Sequence, residues 1–108
     1  DNLPWLEFRR VLFRSDYVLA TIVKVSGDKV LTIGFAGFMK VYPKSDCKPI
    51  PNRISLKVGD EVYAPWVGKF TKTTVLKIDE KFARIHCKDP YSDKPLIVPF
   101  GTVLKDLN

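Results

Sequence analysis

Short runs of alternating apolar and polar residues, each cut off by turn-forming residues, leave this chain few options other than a small antiparallel β structure. Val62 and Ala64 alternate with Glu61 and Tyr63; Thr74, Leu76 and Ile78 alternate with Val75 and Lys77; Ile85 and Cys87 alternate with Arg84 and His86. Each run reads as a half-buried strand. Lys57-Val58-Gly59-Asp60 supplies a turn before the first run, Asp79-Glu80-Lys81 a hairpin between the second and third, and Asp89 to Asp93 another before Leu96-Ile97-Val98. Strands this short protect their edges by closing, so the predicted class is all-β, one or more small barrels of short antiparallel strands.

With 108 residues, 45% hydrophobic and 28% charged, the chain has room for one domain or for two small barrels. No apolar run approaches the ~18 residues that span a bilayer, and no segment has the pattern of a signal peptide, so no membrane partner is expected. Cys47 and Cys87 are too few for a disulfide framework and lack zinc-ligand spacing, so neither a metal nor a cofactor is expected. The formal charge of +6 favours an acidic partner such as nucleic acid. The lysines are interspersed with acids, however, and form no basic block.

Pro43, Pro49 and Pro51 fall within residues 43–52, a stretch of strong turn chemistry that reads as a linker between a left part, 16–42, and a right part, 53–108. The two parts can be overlaid. Ala20-Thr21-Ile22-Val23-Lys24-Val25 falls on Thr73-Thr74-Val75-Leu76-Lys77-Ile78; with one residue more in the left hairpin, Val30 falls on Phe82, Ile33 on Ile85 and Phe35 on Cys87. This supports a two-repeat organisation, with a single irregular β domain as the alternative.

Residues 6–15, Leu-Glu-Phe-Arg-Arg-Val-Leu-Phe-Arg-Ser, resemble one reading frame of a widely used DNA sequencing-library adapter. That resemblance implies that residues 1–15 are an assembly artefact. The other reading is a basic amphipathic surface helix built on Leu6, Arg9, Arg10 and Phe13. With 1–15 set aside, the left repeat lacks its opening strand, and a weaker N-terminal sheet beside a folded C-terminal barrel is expected.

Leu56-Lys57-Val58-Gly59-Asp60-Glu61-Val62-Tyr63-Ala64-Pro65-Trp66, followed by Thr73-Thr74-Val75 and Ile78-Asp79, resembles the opening of Tudor domains, which are SH3-like barrels. Tudor domains bind methylated lysine or arginine in an aromatic cage, where ring faces attract a weakly hydrated cation. The resemblance implies Trp66 as the first cage aromatic. It puts the second place on Thr71, one residue after Phe70, and the third on Cys87, so the cage departs from the family pattern at both. Tyr91 is placed to supply a late aromatic, and Tyr63 to line the same groove. In the left part, Phe35-Ala36-Gly37-Phe38 resembles the aromatic-x-Gly-aromatic end of the third Tudor strand. A structural role competes with each: Trp66 as lid of a barrel core, Phe70 and Phe82 as core or hairpin packing.

Lys69, Lys72, Lys77 and Lys88 either track a phosphate backbone or form a solvated face. Catalysis is not expected. His86, the only histidine, precedes Cys87 directly, and neighbours on a strand point to opposite faces; Asp89 and Asp93 have nothing that separates their acidities; no Gly-rich phosphate loop occurs. The functional expectation is a non-catalytic module that binds a peptide or a methylated basic side chain. Nucleic-acid binding through basic faces and a purely structural domain are the alternatives.

Overall fold

The computed structural model describes residues 5, 8–14, 17–34 and 36–107. These form β1 (Arg10–Phe13), β2 (Val18–Ser26), β3 (Lys29–Gly34), β4 (Met39–Pro43), a 3-10 turn (Lys44–Asp46), β5 (Cys47–Ile50), β6 (Glu61–Trp66), β7 (Lys69–Asp79), β8 (Arg84–Cys87) and β9 (Leu96–Pro99). The protein is all-β, and the strand pairings are antiparallel. The strands run in the order β4-β3-β2-β7-β8-β9, with β1 between β2 and β5, and β6 on β7.

The two halves share one hydrogen-bonding plan. In the first, β5, β1, β2, β3 and β4 are successive neighbours. In the second, β6, β7, β8 and β9 follow the same order, and Leu104 takes the place of β5: its N–H donates to Tyr63 O (3.0 Å) and its carbonyl accepts Tyr63 N–H (2.7 Å). Each half turns on one long strand. β2 pairs first with β1 and then with β3, β7 first with β6 and then with β8, and each changeover carries a bulge, at Val23 and at Leu76. An extra residue bends a strand and increases its twist, which lets one strand serve two partners.

Apolar side chains gather in three clusters. Val11, Ala20, Val30, Tyr42 and Cys47, with Trp5, fill the first half. Val62, Ala64, Val75, Ile85, Cys87, Val98 and Val103 fill the second. Leu12, Ile50, Phe70 and Leu104, flanked by Leu19, Tyr63 and Leu107, form a seam between them. The seam is continued by backbone pairing of Val18 with Lys69, where Leu19 N–H donates to Gly68 O (2.8 Å) and Phe70 N–H to Tyr17 O (2.9 Å). β1 is therefore buried on both faces, Val11 toward one cluster and Leu12 toward the other, both fully inaccessible.

Three sequence expectations differ from this fold. The opening strand of the first half is present, because Arg10–Phe13 of the adapter-like stretch pairs with both β2 and β5. The proline-rich stretch is not a linker: residues 47–50 are a strand with Cys47 and Ile50 buried, and Pro49, which lacks an N–H, is tolerated because β5 lies at a sheet edge. The overlay holds for β2 on β7 but slips afterwards. Val25 pairs with Val30 as Ile78 pairs with Ile85, and Ile22 with Thr32 as Val75 with Cys87. Val30 thus corresponds to Ile85 and Thr32 to Cys87, since the left hairpin loop is Gly27-Asp28 while the right runs from Glu80 to Ala83. Phe82 lies in that longer loop, exposed, with Lys81 Nζ 5.4 Å from its ring centroid, and Ile33 faces outward. Buried Thr32 remains satisfied by donating to Lys40 O at 3.0 Å.

Val67-Gly68 joins β6 to β7 with φ of 51° and 82°, the double left-handed signature of a type I′ turn. A β-branched residue is disfavoured there by about 1–2 kcal/mol, whereas asparagine is well suited. Val67 is 60% exposed, so its side chain has little packing to lose. Val67→Asn is expected to stabilise the protein by about 1 kcal/mol, a Tm rise of roughly 4–8 °C for a domain of this size. A thermal scan showing no rise would assign Val67 a contact that offsets its strain.

Candidate functional site

The Val-Gly-Asp turn builds the rail that carries the site. Gly59 takes φ 95°, its N–H donates to Val75 O (2.8 Å), and Val75 N–H donates back to Asp60 O (2.9 Å). Asp60 Oδ2 accepts Lys57 N–H at 2.9 Å, and Lys105 Nζ lies 3.5 Å away. The Lys57 amide, and after it the Lys105 ammonium, hold the Asp60 carboxyl below its ordinary range. From this anchor β6 runs with Val62 and Ala64 in the core, and period-2 alternation puts Trp66 on the same face at the strand's end, half-buried.

Tyr91 meets Trp66 there, with ring centroids 4.7 Å apart and planes at 50°. Its loop is pinned to β7 by Lys88 N–H donating to Thr74 O (3.0 Å) and Thr73 Oγ1 donating to Lys88 O. Tyr91 N–H donates to Asp89 Oδ1 at 2.8 Å, an Asx turn that lifts the ring to 75% exposure. A cation held between two ring faces needs them about 7 Å apart, twice a van der Waals contact. In this arrangement the rings cover each other, and a ligand reaches Trp66 only by displacing Tyr91 or by stacking on the outer faces.

The other aromatics named from the sequence lie elsewhere. Phe70 pairs with Pro65 across the ladder, on the face opposite Trp66, and is 8% exposed in the seam; Tyr63 packs against the same cluster. Phe38 is 78% exposed at the β3–β4 turn, in the first half. Phe35 lies outside the described residues. Thr71 pairs with Ala64 and so shares Trp66's face, but offers no ring.

The four lysines also separate. Lys77 and Lys88 line one groove of about 330 Å³ with His86, Lys94, Asp89 and Asp93. Lys72 faces away and pairs with Glu61 at 3.4 Å, while Lys69 sits beside Trp66 at the junction with Val18. Sequence reading omitted Lys94, which the Asp89–Asp93 turn folds back toward β8. It also omitted a cleft of about 480 Å³ beyond the other end of the second core. There Ile54, Leu56, Ile78 and Ile85 lie under an Arg53–Glu80 ion pair of 2.5 Å, with Arg53 4.9 Å from the Phe100 ring centroid. A third cleft joins Arg9, Arg10 and Arg84; burial first, then the charges of Arg9 and Arg84, pulls the Arg10 guanidinium below its usual pKa.

Cys87 lies in the second core, and burial pushes its thiol up to about 11. Burial, and next Asp46, pushes Cys47 up to about 11 as well. Both are neutral near pH 7. Among the described residues no group of three or more His, Cys, Asp or Glu side chains is placed to hold a metal, and no helix is long and apolar enough to cross a membrane. No protein-family model matches the chain, and comparison with curated proteins gives no match.

Proposed function

We propose that the chain is a non-catalytic recognition module of Tudor-like character, built as two SH3-like repeats, whose ligand is a peptide carrying a methylated basic side chain that docks at Trp66 and Tyr91. The supporting observation is the contact of these two rings at the end of β6, one on the strand and the other on a pinned loop. Each cation–π contact contributes about 0.5–2 kcal/mol. Two rings therefore provide at most about 4 kcal/mol, no tighter than about millimolar. With Phe70 and Tyr63 committed to the seam, the remaining affinity has to come from the peptide on either side of the cation.

Isothermal titration with methyl-lysine and methyl-arginine peptides checks this. Binding is expected to change little between low and moderate salt and to fall at least tenfold in Trp66→Ala, with free methyl-lysine too weak to measure. The groove with Lys77, His86, Lys88 and Lys94 favours a second reading, nucleic-acid binding. Oligonucleotide affinity that drops steeply with salt and survives Trp66→Ala would replace the peptide reading with that one.

A further inference from the structure

The outer faces of the two halves differ in a way the fold does not require. The cross-strand pairs Leu31–Val41 and Ile33–Met39 alternate with buried Val30, Thr32 and Tyr42, and so put four aliphatic side chains on the outside of β3 and β4. Ile33, Val41 and Met39 are 38%, 54% and 56% exposed, and Phe38 adjoins them. At the equivalent positions the second half carries His86 and Ile97, then Lys88 and Pro95. A contiguous apolar block on one half only marks an interaction surface.

The block lies on an unprotected edge. β4 ends the strand order and, among the described residues, pairs only with β3. Gly34 N–H donates to Phe38 O (3.0 Å) and Lys44 N–H to Asp28 O (2.7 Å), so the even-numbered residues of β4 bond to β3. Met39 and Val41 therefore turn their amides and carbonyls to the open edge of the sheet. On the opposite face of the same strand is Lys40, exposed, its ammonium 5.4 Å from the Tyr42 ring centroid. Lys44 opens the 3-10 turn that follows, its ammonium 5.5 Å from the Trp5 ring centroid, and Lys24 and Lys29 supply the charge on the outer face. Two copies joined β4 to β4 would set these lysines against each other.

We propose that β4 accepts an extended peptide segment of alternating aliphatic and acidic residues as an added strand. The aliphatic residues extend the block beside Met39 and Val41, the acidic ones face Lys40 and Lys44, and the ladder forms with the free groups of Met39 and Val41. This site is separate from Trp66 and does not rest on the ligand assigned there.

The test is an NMR titration of the full isotopically labelled chain with a blocked Glu-Val alternating heptapeptide and its Lys-Val counterpart. The Glu-Val peptide is expected to shift the Phe38, Met39 and Val41 amides and to bind at least tenfold more tightly than the Lys-Val peptide. Val41→Pro removes an outward N–H without touching the β3 ladder and is expected to cost at least tenfold in affinity; Met39→Glu, which sets a like charge beside the incoming acids, serves where the proline variant fails to fold. Trp66→Ala is expected to leave this binding unchanged. Equal binding of the two peptides, no binding of either, indifference to both β4 variants, or self-association through β4 would overturn the proposal.

Discussion

Phe70→Ala is expected to lower stability by about 3–5 kcal/mol and to split one unfolding transition into two. The ring is 8% exposed and packs with Leu12, Ile50 and Leu104, the apolar cluster in the seam between the halves. Each half has its own cluster, one around Val11 and Val30, the other around Val62 and Val75, and neither depends on Phe70. Emptying the seam therefore removes coupling more than either core, and a loss of this size is a large share of a typical stability of about 5–15 kcal/mol. Urea titrations followed at assigned amides of β3 and β8 are expected to coincide in the parent chain and separate in the variant. Unaltered midpoints with lost peptide binding would return Phe70 to the ligand site and move the seam elsewhere. Trp66→Ala, at the half-buried end of β6, is the matched control, expected to lose ligand with a smaller loss of stability.

The contrast between Trp66 and Phe70 shows how far the sequence could be read. The turn at Lys57 to Asp60, the strands after it and the placing of Trp66 at a strand end follow from alternation and turn chemistry, and the fold contains them. What alternation cannot show is which side of a strand meets water. Val62-Tyr63-Ala64-Pro65-Trp66 is an unbroken nonpolar run, and such runs signal burial on both faces. Tyr63 and Phe70 therefore pack in the seam, where a one-sided sheet would have left them free. The bulge at Leu76 is equally silent in the sequence. It shifts the phase by one, so that Val75 and Ile78 both turn inward and Leu76 stays 48% exposed. The Trp66–Tyr91 contact was half legible. The Asp89–Asp93 turn could be seen, but only the Asx turn and the two bonds tying the loop base to β7 bring the tyrosine onto the tryptophan.

Deleting residues 1–15 is expected to unfold the first half and leave the second folded. β1 lies between β2 and β5, and among the described residues β5 has no other strand partner. The deletion removes Val11 and Leu12, both fully buried, together with Trp5 at 5% exposure. At about 1.5–3 kcal/mol for each large apolar side chain, the lost burial alone rivals the whole stability margin of a small domain. Hydrogen exchange is expected to show amides of β2 and β3 losing protection while those of β6, β7 and β8 keep it; equal protection in both halves would show that β1 is dispensable. We further propose that the natural gene carries other codons where the adapter-like decapeptide now stands. The pairing register aligns Val11, Leu12 and Phe13 with Val62, Tyr63 and Ala64. The natural residues are then expected to be apolar at 11 and 13, facing the first core, and apolar again at 12, filling the seam against Ile50 and Phe70. Sequencing the locus from genomic DNA reads this directly. Recovery of the same ten codons would end the artefact reading, and a polar residue at position 12 would contradict the two-sided burial on which the seam depends.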